Sequence, residues 1–390
     1  MRLNREDTSL LADWWFTVDR LMLAAVFILI ATGVIVSLAA SPSVAINKDL
    51  EPFYFVKRHI MVVGVGIVVM LALSTRAPRT IRRIALVLFA ACIAALLYIL
   101  LFGQEINGAR RWMRLAGVSV QPSEIAKPAF VVLSAWALAE FERRRDVPAL
   151  PMALTLYIVF VALLLLQPDV GQALLVSLTW GAMFILAGLP FVWAAVFLVF
   201  AVVGLGVAYL VLPYIQDRVH AYLNPVTGDN SQIERAYNSF KQGGFFGRGP
   251  GEGTIKTVLP DAHTDFIFAV IAEEYGVIAC MALLALFMFI VFRALLRAVS
   301  CQDLSTRYAV SGLALLVGGQ TLINMGVNVG LLPAKGMTLP MISAGGSSLI
   351  AISITFGMIL GLTRRHSAID DARSQGVGMD PLHYEVGIRE

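Results

Sequence analysis

Apolar residues along this chain gather into long blocks free of charge, separated by polar connections that hold most of the arginines. Ten such blocks can be marked, at 21–40, 59–74, 84–102, 125–139, 150–166, 170–187, 190–212, 266–292, 308–329 and 339–362. About 20 apolar residues are what a helix needs to cross the hydrocarbon core of a bilayer. Backbone groups in lipid must find partners within their own segment, and no alternating barrel pattern is present, so each block is expected to be a helix. The fourth block is short and polar at its start, and fits the rule least well.

An even number of spans puts both termini on one side, and the distribution of arginine says which side. Arg2, Arg5 and Arg20 precede the first span, and Arg76, Arg79, Arg82 and Arg83 join the second to the third. Arg143, Arg144 and Arg145 join the fourth to the fifth, Arg293, Arg297 and Arg307 flank the turn from eighth to ninth, and Arg364 and Arg365 follow the last. Both termini are therefore expected to be cytoplasmic. The organisation that follows is an all-α polytopic membrane protein of ten transmembrane helices. It has a cytoplasmic segment at 1–20, a membrane domain at 21–365 and a disordered cytoplasmic tail at 366–390, with a long outer loop at about 213–264 between helices 7 and 8. The first block is long and follows a polar stretch with Glu6, Asp7, Asp13 and Asp19, so it reads as a retained span rather than a cleaved signal.

Composition narrows this further. Of 390 residues 58% are hydrophobic and 14% charged, against roughly 45 to 50% and 25% in a soluble domain, which argues against a water-soluble enzyme. The net charge of +4 is mild and no dense Lys/Arg run suggests nucleic acid as a partner. Cys92, Cys280 and Cys301 form no C-x-x-C pair and read as structural. No metal-ligand spacing is legible, and His59 and His220 stand isolated at span edges, where an interfacial role is expected.

Some cations fall on the wrong side. Arg110, Arg111 and Arg114 lie in a short outer connection, and Arg218, Arg235, Lys241, Arg248 and Lys256 lie in the long outer segment. Longer loops tolerate scattered charge during translocation; the alternative is an anionic ligand on the outer face. The run G-G-F-F-G-R-G-P-G-E-G at 243–253 is neither a Walker loop nor a dinucleotide fingerprint, and is expected to be a mobile loop over a site. Gly326 with Gly330 and Gly357 with Gly361 have the G-x-x-x-G spacing of close helix packing.

Ionisable residues at membrane depth are costly and point to function. Four groups qualify. Q-P-S-E-I-A-K at 121–127 places Glu124 and Lys127 three apart on one helical face, which favours an ion pair of structural or functional purpose. Q-P-D-V-G-Q at 167–172 sets Asp169 at a tight outer turn, where capping of the next helix competes with a site role. L-P-D-A-H-T-D-F-I-F at 259–268 crowds Asp261, His263 and Asp265 at the mouth of the eighth span, with Glu273 and Glu274 further in. Asp265 or Thr264 could serve as an N-cap, yet two carboxylates and a histidine beside an apolar wall also suit proton abstraction. P-A-K-G-M-T-L-P-M-I-S-A-G-G-S-S at 333–348 offers Lys335 and a partly unwound start to the tenth helix, either an anion cradle or a re-entrant turn.

Together these stretches, with G-A-R-R-W at 108–112, resemble the SEDS family of bacterial cell-wall polymerases, the shape, elongation, division and sporulation proteins. The resemblance runs from the first span to about His366. P-A-K-G-M-T-L-P at 333–340 resembles the division branch more than the elongation branch. Departures are Ala344 where the family usually has Tyr, Phe245 where Trp is common, and Asp261 where Glu is usual. The resemblance implies ten helices and an inverting peptidoglycan glycosyltransferase that joins lipid II, an undecaprenyl diphosphate sugar, into glycan strands. The reaction would run at the outer face of the cytoplasmic membrane, at the division septum. It implies Asp265 as the essential carboxylate, read as general base toward the acceptor hydroxyl. Candidate substrate-binding residues are Arg110, Arg111, Glu124, Lys127, Asp169, Arg248, Asp261, His263, Lys335 and Ser347, the cations among them as stabilisers of the departing diphosphate. No cofactor is evident; a divalent cation could share that task, although no metal cage is legible. The partner implied is an FtsI-like class B penicillin-binding protein transpeptidase, alongside other division proteins. A lipid II flippase and a non-catalytic division scaffold are the competing readings. Charges clustered at the outer face and the absence of a detectable internal repeat favour the polymerase over the flippase.

Overall fold

A computed structural model describes residues 10–46, 49–105, 110–115, 118–144, 146–188, 230–259, 261–333 and 336–364, with seven positions between 192 and 216. The helices are α1 (Leu10–Thr17), α2 (Arg20–Ile46), α3 (Tyr54–Ser74), α4 (Pro78–Phe102), α5 (Pro122–Arg143), α6 (Ala149–Leu166) and α7 (Val170–Leu186), then α8 (Asn230–Gly243), α9 (Ile267–Val299), α10 (Leu304–Asn328) and α11 (Gly346–Leu362). Each apolar block is matched by a helix except the seventh, at 190–212, which lies outside the continuously described residues. Among the described residues, six helices are long and apolar enough to cross a membrane. The protein is a helical membrane protein.

Sequence patterning did not anticipate three smaller elements. The helix α1 precedes the first span, α8 precedes the glycine-rich run, and a hairpin of β1 (Met113–Leu115) and β2 (Val118–Val120) pairs Met113 with Val120 and Leu115 with Val118. The tenth block also starts later than its hydropathy suggests. Residues 336–345 form an irregular turn with Met341 at φ 61°, and the helix begins only at Gly346.

The fourth block becomes α5, and its polarity has a simple cause. It is buried along nearly all of Pro122–Ala139 and packs against α4, α6, α7, α10 and α11, so protein rather than lipid surrounds it. Apolar small residues such as Ala126, Ala129 and Ala135 let neighbours approach, and polar side chains find partners there instead of hydrocarbon. The G-x-x-x-G expectation holds for one pair. A Cβ on Gly357 would stand 2.8 Å from Met70 O and one on Gly361 2.9 Å from Leu73 O, so both glycines admit the backbone of α3. It fails for the other pair, because Gly330 (φ 77°) lies beyond the end of α10 in its terminating turn.

One face of the bundle is tied by ion pairs. Asp19 at the start of α2 accepts from Arg293 at 3.0 Å and Arg297 at 2.5 Å, near the end of α9. Arg364, just past α11, donates to Asp13 at 2.6 Å, to Thr17 at 2.9 Å and to Thr75 O at 2.9 Å. The start of the described chain and its end therefore share this face.

The helix α9 is two segments. Gly276, at φ 80° and ψ 175°, breaks it between Ile267–Tyr275 and Val277–Val299. The glycine-rich run enters this break. Val277 N and Ile278 N donate to Gly244 O at 2.9 Å and Phe245 O at 3.3 Å, while Arg248 N and Gly249 N donate to Glu273 O at 2.9 Å and Glu274 O at 3.0 Å. Glu273 also accepts from the backbone of Thr254 at 2.6 Å and Ile255 at 2.9 Å, and Glu274 accepts from Gly251 N at 3.1 Å and pairs with Lys256. The run is thus pinned rather than mobile, because its glycines allow the backbone to lie directly on the helix. A Cβ at Gly247 would stand 2.2 Å from Glu274 O.

Candidate active site

On the opposite face, two irregular segments and one helix end meet where α9 and α11 begin and α10 stops. The first is the turn 261–266, which Asp261 opens at φ 53° by accepting from Thr264 N at 3.0 Å. The second is the loop 336–345. Ser343 Oγ donates to Thr264 O at 2.6 Å and Ala344 N donates to His263 O at 2.9 Å, locking the two together. The third partner is the last two turns of α10. Asn324 donates to Asp265 O at 2.9 Å and to Met337 O at 2.5 Å, and Asn328 donates to Asp265 O at 3.0 Å.

These bonds hold the Asp265 backbone and leave its carboxylate to face Gly336, where a Cβ would stand 3.5 Å from Oδ2. The N-cap of α9 is Phe266, so capping does not occupy Asp265. Asp265 lies in the turn ahead of the helix. Burial, with the nearby carboxylates of Asp261 and Glu124, pushes its carboxyl up to about 7. A carboxylate with that affinity for protons is suited to take one from a hydroxyl near neutral pH.

Beside it lies a buried polar network. Lys127 Nζ sits 2.8 Å from Glu124 Oε2, donates to Gln172 Oε1 at 2.7 Å and reaches Gln320 Oε1 at 3.2 Å. Gln172 in turn donates to Glu124. Gln320 donates to Thr338 O at 3.0 Å, and Thr338 bonds Ser348 in the first turn of α11. Asp169 stands at the N-cap position of α7 and accepts from Gln121 at 3.1 Å. Arg111 approaches Asp169 to 3.7 Å and donates to Gln167 O at 3.0 Å and to Pro168 O, which fixes the connection before β1 to the turn between α6 and α7. Burial raises the Asp169 carboxyl above its ordinary range, against the pull of Arg111.

The expected site residues therefore divide. Asp265, Asp261, His263, Glu124 and Lys127 converge on the meeting of the three segments, Asp169 and Arg111 join them through Gln121 and Gln172, and Ser347 is buried in the first turn of α11. Arg110 is exposed and faces Glu105 at 3.8 Å, and Arg248 bonds Thr254 at 3.1 Å within the pinned glycine-rich run. Lys335 lies outside the described residues. Missed were Gln320, Asn324 and Asn328, three amides spaced by four on one face of α10. That spacing inside an apolar block was the available signal, passed over because amides carry no charge.

The family profile described as Cell cycle protein, covering FtsW, RodA and SpoVE, matches residues 19–368. The chain belongs to this family. It is 43% identical over 362 residues to the probable peptidoglycan glycosyltransferase FtsW of Caulobacter vibrioides, covering 93% of each chain. It is 34% identical to the protein of the same name from Saccharophagus degradans, covering 92% of this chain and 95% of that one. Among solved structures, a chain of a peptidoglycan synthase complex described as coordinating polymerization and crosslinking superposes with a TM-score of 0.75 at 30% identity, over 89% of this chain and 97% of that one. The rod shape determining protein RodA of Thermus thermophilus superposes at 0.66 with 31% identity, over 90% and 99%.

Proposed function

We propose that this chain is a peptidoglycan glycosyltransferase that polymerises lipid II into glycan strands during division, with Asp265 as general base. One observation carries the assignment of the base. Glu124 and Asp169 each face a cation, Lys127 and Arg111, whereas among the described residues Asp265 has none against its carboxylate and is held through its backbone. A carboxylate so placed keeps its lone pairs for a proton. The acceptor hydroxyl would attack the anomeric carbon of the donor, its proton passing to Asp265, while the bond from that carbon to the diphosphate oxygen breaks. Inversion at the anomeric carbon needs this one base and stabilisation of the leaving group. Arg111 and Lys127, and Lys335 outside the described residues, are the cations we assign to that second task, Arg111 by its bidentate fork.

The ends of the described chain on one face, and the carboxylates on the other, support an even number of crossings with both termini cytoplasmic and the site at the outer surface. Ten spans within 21–365 is the count we propose. The similar chain within a complex that coordinates polymerization and crosslinking supports a class B penicillin-binding protein as partner. The test is strand formation from purified lipid II. Asp265→Ala should lower it by about 10² to 10⁴ with membrane insertion and partner binding intact; normal polymerisation by that variant would remove the assignment.

A further inference from the structure

A cavity of about 210 Å³ opens on the face that carries the Asp19 ion pairs, between the end of α1, the first residues of α2 and the last turns of α9. Its charged lining is Arg20, Arg293 and Arg297 with a single carboxylate, Asp19. That carboxylate is nearly inaccessible, at 1% side-chain exposure, and its lone pairs are taken up within the protein. Arg293 grips it with two bonds, from Nε at 3.0 Å and Nη2 at 3.1 Å, Arg297 Nε donates at 2.5 Å and Met22 N donates at 3.2 Å. Asp19 can offset one of the three guanidiniums and no more. Arg297 bonds through Nε alone, and so does Arg20, whose Nε donates to Trp15 O at 3.2 Å; the terminal nitrogens of both form no hydrogen bond among the described residues.

The rim of the cavity is apolar. The helix α1 is held to the bundle by Trp14 Nε1, which donates to Ser74 Oγ at 2.9 Å, and its other side turns Trp15 and Phe16 outward, with Leu21 exposed at the start of α2. The Arg20 guanidinium lies over both rings, 5.1 Å from the Trp15 centroid and 5.5 Å from that of Phe16, an attraction that holds its charge at the cavity mouth. Aromatic rings and arginines together at a helix end belong at the headgroup level of a bilayer. Excess guanidinium in a cleft between helices, with N–H groups to spare and an apolar rim, suits a phosphodiester that carries acyl chains. We infer that this cavity binds the phosphate of an anionic phospholipid through Arg20, Arg293 and Arg297, with the acyl chains lying along Phe16 and Leu21. The orientation proposed above makes this the cytoplasmic leaflet, and the site does not depend on the reaction at Asp265.

Native mass spectrometry of the full-length protein in detergent tests this, with phosphatidylglycerol, phosphatidylcholine and inorganic phosphate as probes. Phosphatidylglycerol should bind most tightly. Arg20→Gln and Arg297→Gln should each weaken it by about fivefold, the effect of one arginine beside an anionic headgroup. Arg297→Gln leaves Asp19 both of its bonds from Arg293, so the tie between α2 and α9 survives. Arg83→Gln removes an exposed arginine of α4 outside the cavity and should change nothing. Equal weakening in all three variants would mean diffuse attraction to a basic face, and no weakening in the first two would mean no site; either result overturns the proposal. Phosphatidylcholine bound as tightly as phosphatidylglycerol would overturn it too, by showing no preference for the anion. Inorganic phosphate bound as tightly would do the same, because the apolar rim would then contribute nothing. No lipid II enters the measurement, so each of these results leaves the Asp265 assignment standing, and normal polymerisation by Asp265→Ala would leave the lipid site standing.

Discussion

Among the described residues no cation stands against the buried Asp265 carboxylate, and that is an energetic burden as well as a chemical asset. Its carboxyl sits at about 7 in the folded protein against an ordinary 3.8. Between those values the native state holds a proton that the unfolded chain has lost, so stability falls as pH rises across the window and levels off above it. Asp265→Asn removes that dependence. The variant should melt at a higher temperature than the wild type at pH 8, with the difference vanishing near pH 4. An equal or lower melting temperature at pH 8 would show that the carboxylate is not desolvated. The motif containing this residue was legible in the sequence, as was the Glu124–Lys127 pair from its spacing of three. The amides that hold Asp265 in place were not, because neutral side chains leave no mark on hydropathy or charge.

The helices themselves were readable, since long apolar blocks admit one solution in lipid. What hydropathy could not supply was where a block stops being one helix. Gly276 lies within an apolar run, yet φ 80° there turns Ile267–Tyr275 away from the axis of Val277–Val299 and opens the backbone to the glycine-rich run. A Cβ on Gly276 would stand 2.3 Å from Phe245 O, with a backbone conformation that L-residues resist. Gly276→Ala should therefore cost about 1–3 kcal/mol and lower the melting temperature in detergent. It should also make the 243–254 run a site of limited proteolysis. A protected run in that variant would contradict the pinning described above. The same reasoning explains α5, whose modest hydropathy reflects a place at the centre of the bundle.

Across the whole molecule, the ion pairs of Asp13 and Asp19 lie on one face, and those of Glu124 and Asp169 lie with Asp265 on the other. The division of labour follows from this arrangement. Arg293, Arg297 and Arg364 hold the first face together, while Glu124, Asp169 and Asp265 stand with Lys127 and Arg111 on the second. The central claim is that one carboxylate, raised toward neutrality by its surroundings, takes the proton of the acceptor hydroxyl. The pH dependence of kcat/KM for strand formation from lipid II, measured on the protein together with the class B penicillin-binding protein proposed as its partner, tests this most directly. The account predicts a rate that rises with pH through a single ionisation near 7, and no such limb in the residual activity of Asp265→Asn. A rate independent of pH from 5.5 to 8.5, roughly the range over which such a base must titrate, or an unaltered limb in Asp265→Asn, would contradict it.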